Sequence, residues 1–137
     1  MVTAALATPP VGSRGIDTIL AEARSRLTRL SALEAAAERA TGALLVDIRP
    51  AAQRAANGHI PGALVVERNV LEWRFDPRSD ARLPVAGGYD LRVIVFCQQG
   101  FTSSLAAAAL QDLGLHAATD IDGGIEAWID AGLDYAA

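Results

Sequence analysis

Four short apolar runs punctuate this chain: "ALLVDI" at 43–48, "ALVV" at 63–66, "RVIVF" at 92–96 and "ATDI" at 118–121. Runs this short, apolar at nearly every position, suit strands covered on both faces. Helix-patterned stretches lie between them, and strands that alternate with helices pair in parallel under right-handed crossovers. The sequence therefore predicts an α/β domain: a mostly parallel sheet with helices on both faces.

Punctuation residues support the same reading. Asp17 is placed to cap a short helix carrying Ile16, Ile19, Leu20 and Ala23 at helical spacing. Ser31 and Glu34 form a capping box that opens "ALEAAAERA", so two helices are expected rather than one through 17–40. Between them "RLTRL" at 26–30 reads as a short strand or extended connector. Pro50 suits the first turn of a helix over "AAQRAAN", which Asn57-Gly58 stops. "TSSLAAAALQDL" is a helix with Leu105, Ala106, Ala109, Leu110 and Leu113 on one face and Gly114 at its end. Gly123-Gly124 leads into a last helix on which Ile125, Trp128 and Ile129 share a face. The long connection 67–90 contains Trp73 and Phe75 and is expected to fold over something, walling a pocket or capping the core.

The 137 residues suit one domain, here assigned to 15–137, preceded by a flexible segment 1–14. A net charge of −4 argues against nucleic acid as a partner. Every basic residue is arginine, which excludes a Schiff-base lysine and a P-loop lysine. One cysteine and two histidines allow no internal disulfide and form a poor inventory for a metal site, so neither metal nor cofactor is expected. The lone thiol suits a reducing, cytoplasmic compartment. No apolar run approaches membrane-spanning length. The opening residues lack a basic n-region and meet Pro9-Pro10, so no signal peptide is expected.

Cys97 lies just beyond the carboxyl end of "RVIVF", where ligands bind in parallel α/β sheets. The following "QQGFTSS" runs into a helix, and Gly100 lets the backbone curl so that successive amides converge. Such donors stabilise negative charge, on a thiolate or on a bound anion. Spacing alone leaves two readings open: a reactive thiol, or a cysteine filling a hole at a strand end.

Four segments in register, "LLVDIRP", "GHIPGA", "VIVFCQQGFTSS" and "DIDGGIEAWIDAGL", resemble the rhodanese-like sulfurtransferase family from about Ser31 to Leu133. The resemblance implies a five-stranded parallel sheet and a cysteine that cycles between thiolate and persulfide. Cys97 matches the family's nucleophile, and Gln98, Gln99, Gly100, Phe101 and Thr102 match its active-site loop, with Ser103 following. Asp47 and Arg49 fall on its D-x-R motif, Arg49 being a candidate substrate contact or half of an ion pair. His59, Pro61 and Gly62 match its G-H-I-x-G-A turn, and Gly123, Gly124, Ala127 and Trp128 its closing helix. Loop amides, with the Thr102 or Ser103 hydroxyl, would then hold the charge of the substrate oxyanion and of the persulfide. The implied partners are a small-molecule sulfur donor and an external thiol or cyanide acceptor, a protein acceptor included, because no second cysteine can resolve the persulfide.

Gln98 and Gln99 stand where thiosulfate-using relatives often carry basic residues; Arg49, Arg68 or Arg74 could bring positive charge from elsewhere, although Arg68 and Arg74 read first as solvated surface residues. His59 is expected to be structural, His116 superficial and Trp128 part of the core. Asp120 and Asp122 suggest turn chemistry rather than an acid/base pair. A C-x5-R phosphatase or arsenate reductase would need arginine where Ser103 stands. A carrier or binding module remains the alternative function, and the sequence leaves the oligomeric state open.

Overall fold

The computed structural model describes residues 6–137, so residues 1–5 of the expected flexible segment lie outside the described residues. Residues 6–15 form no helix or strand. Beyond them come α1 (Ile16–Ser25), α2 (Ala32–Ala40), β1 (Leu44–Asp47), α3 (Ala51–Asn57), β2 (Leu64–Val65), α4 (Leu71–Phe75), β3 (Val93–Phe96), α5 (Thr102–Asp112), β4 (Thr119–Asp120) and α6 (Gly124–Asp130). A short 3-10 turn, Arg68–Val70, precedes α4. None of these helices is long and apolar enough to cross a membrane.

The strands pair in parallel in the order β2-β1-β3-β4. The sheet thus has four strands among the described residues, not five. The expected fifth, over 26–30, contributes a single parallel bridge from Leu30 to Ile121. Leu30 N–H donates to the Asp120 carbonyl (3.1 Å), and Asp122 N–H donates to the Leu30 carbonyl (2.8 Å). Two neighbours explain why pairing stops there. Thr119 Oγ1 takes the Thr28 carbonyl that a ladder would have used, at 2.8 Å. On the other side Ser31 turns the chain into α2 through a complete capping box, its Oγ accepting from Glu34 N–H.

Successive β3 side chains face opposite sides of the sheet, and all four are buried. Val93 and Val95 pack with Val46, Leu71, Phe75 and Leu110, while Ile94 and Phe96 pack with Leu45, Ile60, Ile121, Ile125 and Trp128. The first layer is covered by α5, which contacts α1 and α4 as well as the sheet; α2 and α6 meet over the second. Neighbours on three sides explain why α5 buries more than the expected stripe. Ser103, Ser104, Ala106, Ala107, Ala108 and Leu110 are buried, and Leu105, Ala109 and Leu113 only partly so. Small residues there let α1 approach closely.

Helix α1 begins one residue before the expected cap: Gly15 is its N-cap, without a side-chain bond, and Asp17 sits in the first turn. In the long connection Phe75 is wholly buried and caps the core, whereas Trp73 is 61 % exposed.

Candidate active site

Cys97 follows β3 directly, is buried among Val66, Val95 and Ala106, and lines a cavity of about 470 Å³. Arg49, Glu67, Arg68, Asn69 and Thr102 line this cavity. It lies past the carboxyl ends of β1 and β3, where the parallel topology places a ligand. The start of the 67–90 connection forms one wall. Arg68 therefore reaches the cavity, paired at 2.7 Å with Glu72. Arg74 instead donates to the Ala81 carbonyl.

Residues 97–101 curl around the thiol. Gly100, with φ +87°, donates its N–H to Cys97 Sγ at 3.2 Å. The loop's carbonyls are tied to groups outside it: Ile125 N–H donates to Cys97 O (3.0 Å) and Glu126 N–H to Gln98 O (3.3 Å). In a trans peptide N–H points opposite to C=O, so anchoring these carbonyls turns the amides of Gln98 and Gln99 the other way. Among the described residues the amides of Gln98, Gln99, Phe101, Thr102 and Ser103 find no protein acceptor. A concave run of free donors beside a thiol can hold a bound anion or a charged sulfur.

The anchoring requires glycine at particular points. A Cβ on Gly124 (φ +62°) would lie 2.4 Å from Cys97 O, and one on Gly100 would lie 2.7 Å from Gly123 N. The Gly123-Gly124 turn thus packs backbone to backbone against the Cys97 loop. Trp128, one turn on, is buried and donates Nε1–H to Asp134 O at 2.7 Å.

The Asp47–Arg49 pair is buried and internally satisfied. Asp47 Oδ1 accepts from Arg49 N–H and Nε, and Oδ2 accepts from Nη2 at 2.8 Å. Arg49 Nη2 also donates to Gly58 O, and Nη1 donates to Gln98 Oε1. Gln98 Nε2 in turn donates to Glu126 Oε2, so this side chain bridges two elements. Gln99 and Phe101 are exposed. His59 pairs its backbone with Ala136 in both directions and lines a different cavity, away from Cys97. Gly62 (φ +81°) lies in the same turn, whose Pro61 carbonyl takes a bond from Arg39. His116 bonds Asp90 at the surface.

Two expectations change. Ser103 does not offer its hydroxyl to the cavity: Oγ donates to Asp120 Oδ2 at 2.8 Å, because α5 turns that side chain inward over β4. Asp120 is not a turn residue either. It is fully buried and also accepts from Ser104 Oγ (2.8 Å) and from Arg29 Nε and Nη2. Exposed Asp122 receives Arg29 Nη1. Burial works against the Arg29 charge, but hydrogen bonding and attraction to Asp120, with Asp122 and Cys97 adding, outweigh it and hold its pKa above the ordinary value. Arg29 and Arg24 also each donate to the Gly100 carbonyl. Arg24, Arg29 and Ser104 carry no signal of their own in the sequence, and Asp120 reads there only as a turn residue. The adjacent hydroxyls of Ser103 and Ser104 on a helix bound for the core were the available signal.

Residues 31–131 match the family model described as a rhodanese-like domain. The chain belongs to this family. The chain is 38 % identical over 104 residues to thiosulfate sulfurtransferase GlpE of Pseudomonas entomophila, covering 76 % of this chain and 86 % of the relative. A GlpE from Stutzerimonas stutzeri is 35 % identical over 100 residues, covering 73 % and 83 %. Among solved structures, a protein of unknown function from Rhodopseudomonas palustris, described as a possible tyrosine phosphatase, superposes with a TM-score of 0.83. It is 34 % identical, with 95 % of this chain and all of that one covered. The human single-domain sulfurtransferase TSTD1 superposes at 0.62 and 27 % identity, over 74 % and 95 %. In this rhodanese-like domain the β4 edge of the four-stranded sheet meets the 26–30 connector through the Leu30–Ile121 bridge.

Proposed function

We propose that this domain is a sulfurtransferase in which Cys97 carries sulfane sulfur as a persulfide. The observation that carries the reading is the Gly100 N–H on Cys97 Sγ within a loop of otherwise unused amides. The Cys97 thiolate attacks the outer sulfur of a donor such as thiosulfate. A Cys97 S–S bond forms as the donor's S–S bond breaks, and sulfite leaves with the electron pair. The loop amides hold the oxyanion during attack and the terminal sulfur afterwards. Thr102, on the cavity wall, is the remaining hydroxyl candidate. An acceptor thiolate then attacks the terminal sulfur and Cys97 departs as thiolate. The chain has no second cysteine, so the acceptor is external, a small thiol or a protein thiol. A reducing, cytoplasmic setting keeps such a thiol free.

The description of the Rhodopseudomonas relative raises phosphoester cleavage. A C-x5-R loop grips its phosphate through arginine, and here that position is Ser103, bonded to Asp120 beneath the loop. Sulfur transfer fits the residues present better.

Intact mass after brief exposure to thiosulfate, 3-mercaptopyruvate or glutathione persulfide tests the reading. Wild type is expected to gain one cyanide-removable sulfur, and Cys97→Ser none. Folded, reduced protein that no donor loads would overturn it.

A further inference from the structure

We infer that Arg24 and Arg29 supply, through a peptide bond, the positive charge that the Gln98-Gln99 loop lacks, and so act as positioning residues for the anionic sulfur at Cys97. The inference rests on the proposed role of Cys97 as a sulfur carrier.

The Gly100 carbonyl accepts from Arg24 Nη2 at 2.8 Å and from Arg29 Nη2 at 3.0 Å. A backbone carbonyl that takes two guanidinium donors is the most strongly polarised acceptor in this loop. Its partner in the peptide plane is Phe101 N–H, which points opposite and has no protein acceptor among the described residues. Charge drawn toward the oxygen leaves that N–H a stronger donor, as hydrogen bonds in a chain reinforce one another. The plane therefore conveys positive potential from outside the loop to its inner face. Neither cation has to enter the cavity, where it would compete for space with substrate.

Both guanidiniums are held in place. Asp120 binds Arg29 through Nε and Nη2. Arg24 Nε donates to Ser104 Oγ, and its guanidinium lies 5.6 Å from the centre of the Phe101 ring. Asp120 is the buried counter-charge to these two cations, while the Asp122 side chain is 70 % exposed and screened. The other charged residues lining the Cys97 cavity are Arg49, paired with Asp47 behind it, Glu67 and Arg68. Both arginines precede residue 31, where the family match begins, so this device belongs to a part of the chain the family pattern does not describe.

The test is alkylation of Cys97 by anionic iodoacetate and by neutral iodoacetamide, with the Phe101 amide proton followed by NMR. In Arg24→Gln and in Arg29→Gln the iodoacetate-to-iodoacetamide rate ratio is expected to fall roughly 3- to 10-fold, as loss of one nearby charge at intermediate dielectric implies. The Phe101 proton is expected to move upfield. Arg24→Lys should restore most of the ratio, and Arg92→Gln, bonded to Glu38 and Thr41 away from the loop, should leave it unchanged. Added salt should shrink the wild-type ratio. A wild-type ratio and Phe101 shift in folded Arg24→Gln would overturn the inference. Arg24→Gln decides the matter alone should Arg29→Gln fail to fold, since Asp120 keeps Arg29 in the first variant. A ratio that responds in a protein no donor can load would sink the sulfurtransferase reading and leave the arginine relay standing.

Discussion

Ser103 Oγ donates to Asp120 Oδ2 at 2.8 Å, and Ser104 Oγ reaches the same oxygen at the same distance. One buried carboxylate thus ties the start of α5 to β4 and to Arg29. Asp120→Ala is expected to cost about 3 kcal/mol, because it strands a partly buried guanidinium and two hydroxyls. Asp122→Ala, two residues away and mostly solvated, should stay within about 0.5 kcal/mol. Urea unfolding of both variants separates the two roles; equal losses would refute the division.

Gly124 and Gly132 both have positive φ but differ in what surrounds them. A Cβ at Gly124 would meet the Cys97 and Gln98 carbonyls at 2.4 and 2.7 Å, whereas one at Gly132 meets nothing within 4 Å. Gly132→Ala should cost about 1 kcal/mol of backbone strain alone. Gly124→Ala adds displacement of the loop: more than about 3 kcal/mol and a clear loss of sulfur loading. Chemical denaturation and mass-detected loading would show the contrast.

Phe75 and Trp73 lie two residues apart on α4 and face opposite environments, Phe75 wholly buried and Trp73 61 % exposed. Phe75→Ala is expected to lose about 3–5 kcal/mol through the cavity it leaves. Trp73→Ala should lose about 1 kcal/mol or less. Thermal melts of the pair distinguish core from surface.

The Ser31 backbone N–H, and secondarily the Ser31 side chain, hold the Glu34 carboxyl below its ordinary value of 4.5. A carboxylate depressed in the folded state stabilises above its unfolded pKa and loses that contribution as pH falls through the folded one. Glutamine can still complete a capping box but does not titrate. Wild type should therefore exceed Glu34→Gln in stability at neutral pH, and the two should converge below pH 4.5. Parallel unfolding curves across that range would contradict this.

The strands were legible because each is buried on both faces and so reads as an apolar run, and the Ser31–Glu34 box was legible because its bonds are local. The count of five strands fails because 26–30 is the extended connector rather than a strand: Thr119 Oγ1 takes the Thr28 carbonyl on one side of the Leu30 bridge, and the Ser31 capping box turns the chain away on the other. Cys97, Gly100 and the Gly123-Gly124 turn could be placed from motif and register. Arg24, Arg29 and Asp120 could not. An arginine on a short helix looks the same in sequence whether it meets water or a carbonyl 76 residues away. Asp120 next to Asp122 imitates a turn, and its burial depends on hydroxyls that α5 brings from elsewhere in the chain.

The two-way bridge between His59 and Ala136 fastens the chain's last residues under the turn that contains Gly58, where a Cβ would lie 2.5 Å from Ala136 O. Ala136, like α1 at the other end, lies outside the 31–131 stretch that the family model matches. The stretch that the family model matches is thus smaller than the unit that coheres, and the Rhodopseudomonas structure superposes over 95 % of the chain. Anyone transplanting this module into a fusion protein should carry Ile16 through Ala136 and attach the neighbour beyond them, since a graft cut at the family borders would sever both fastenings.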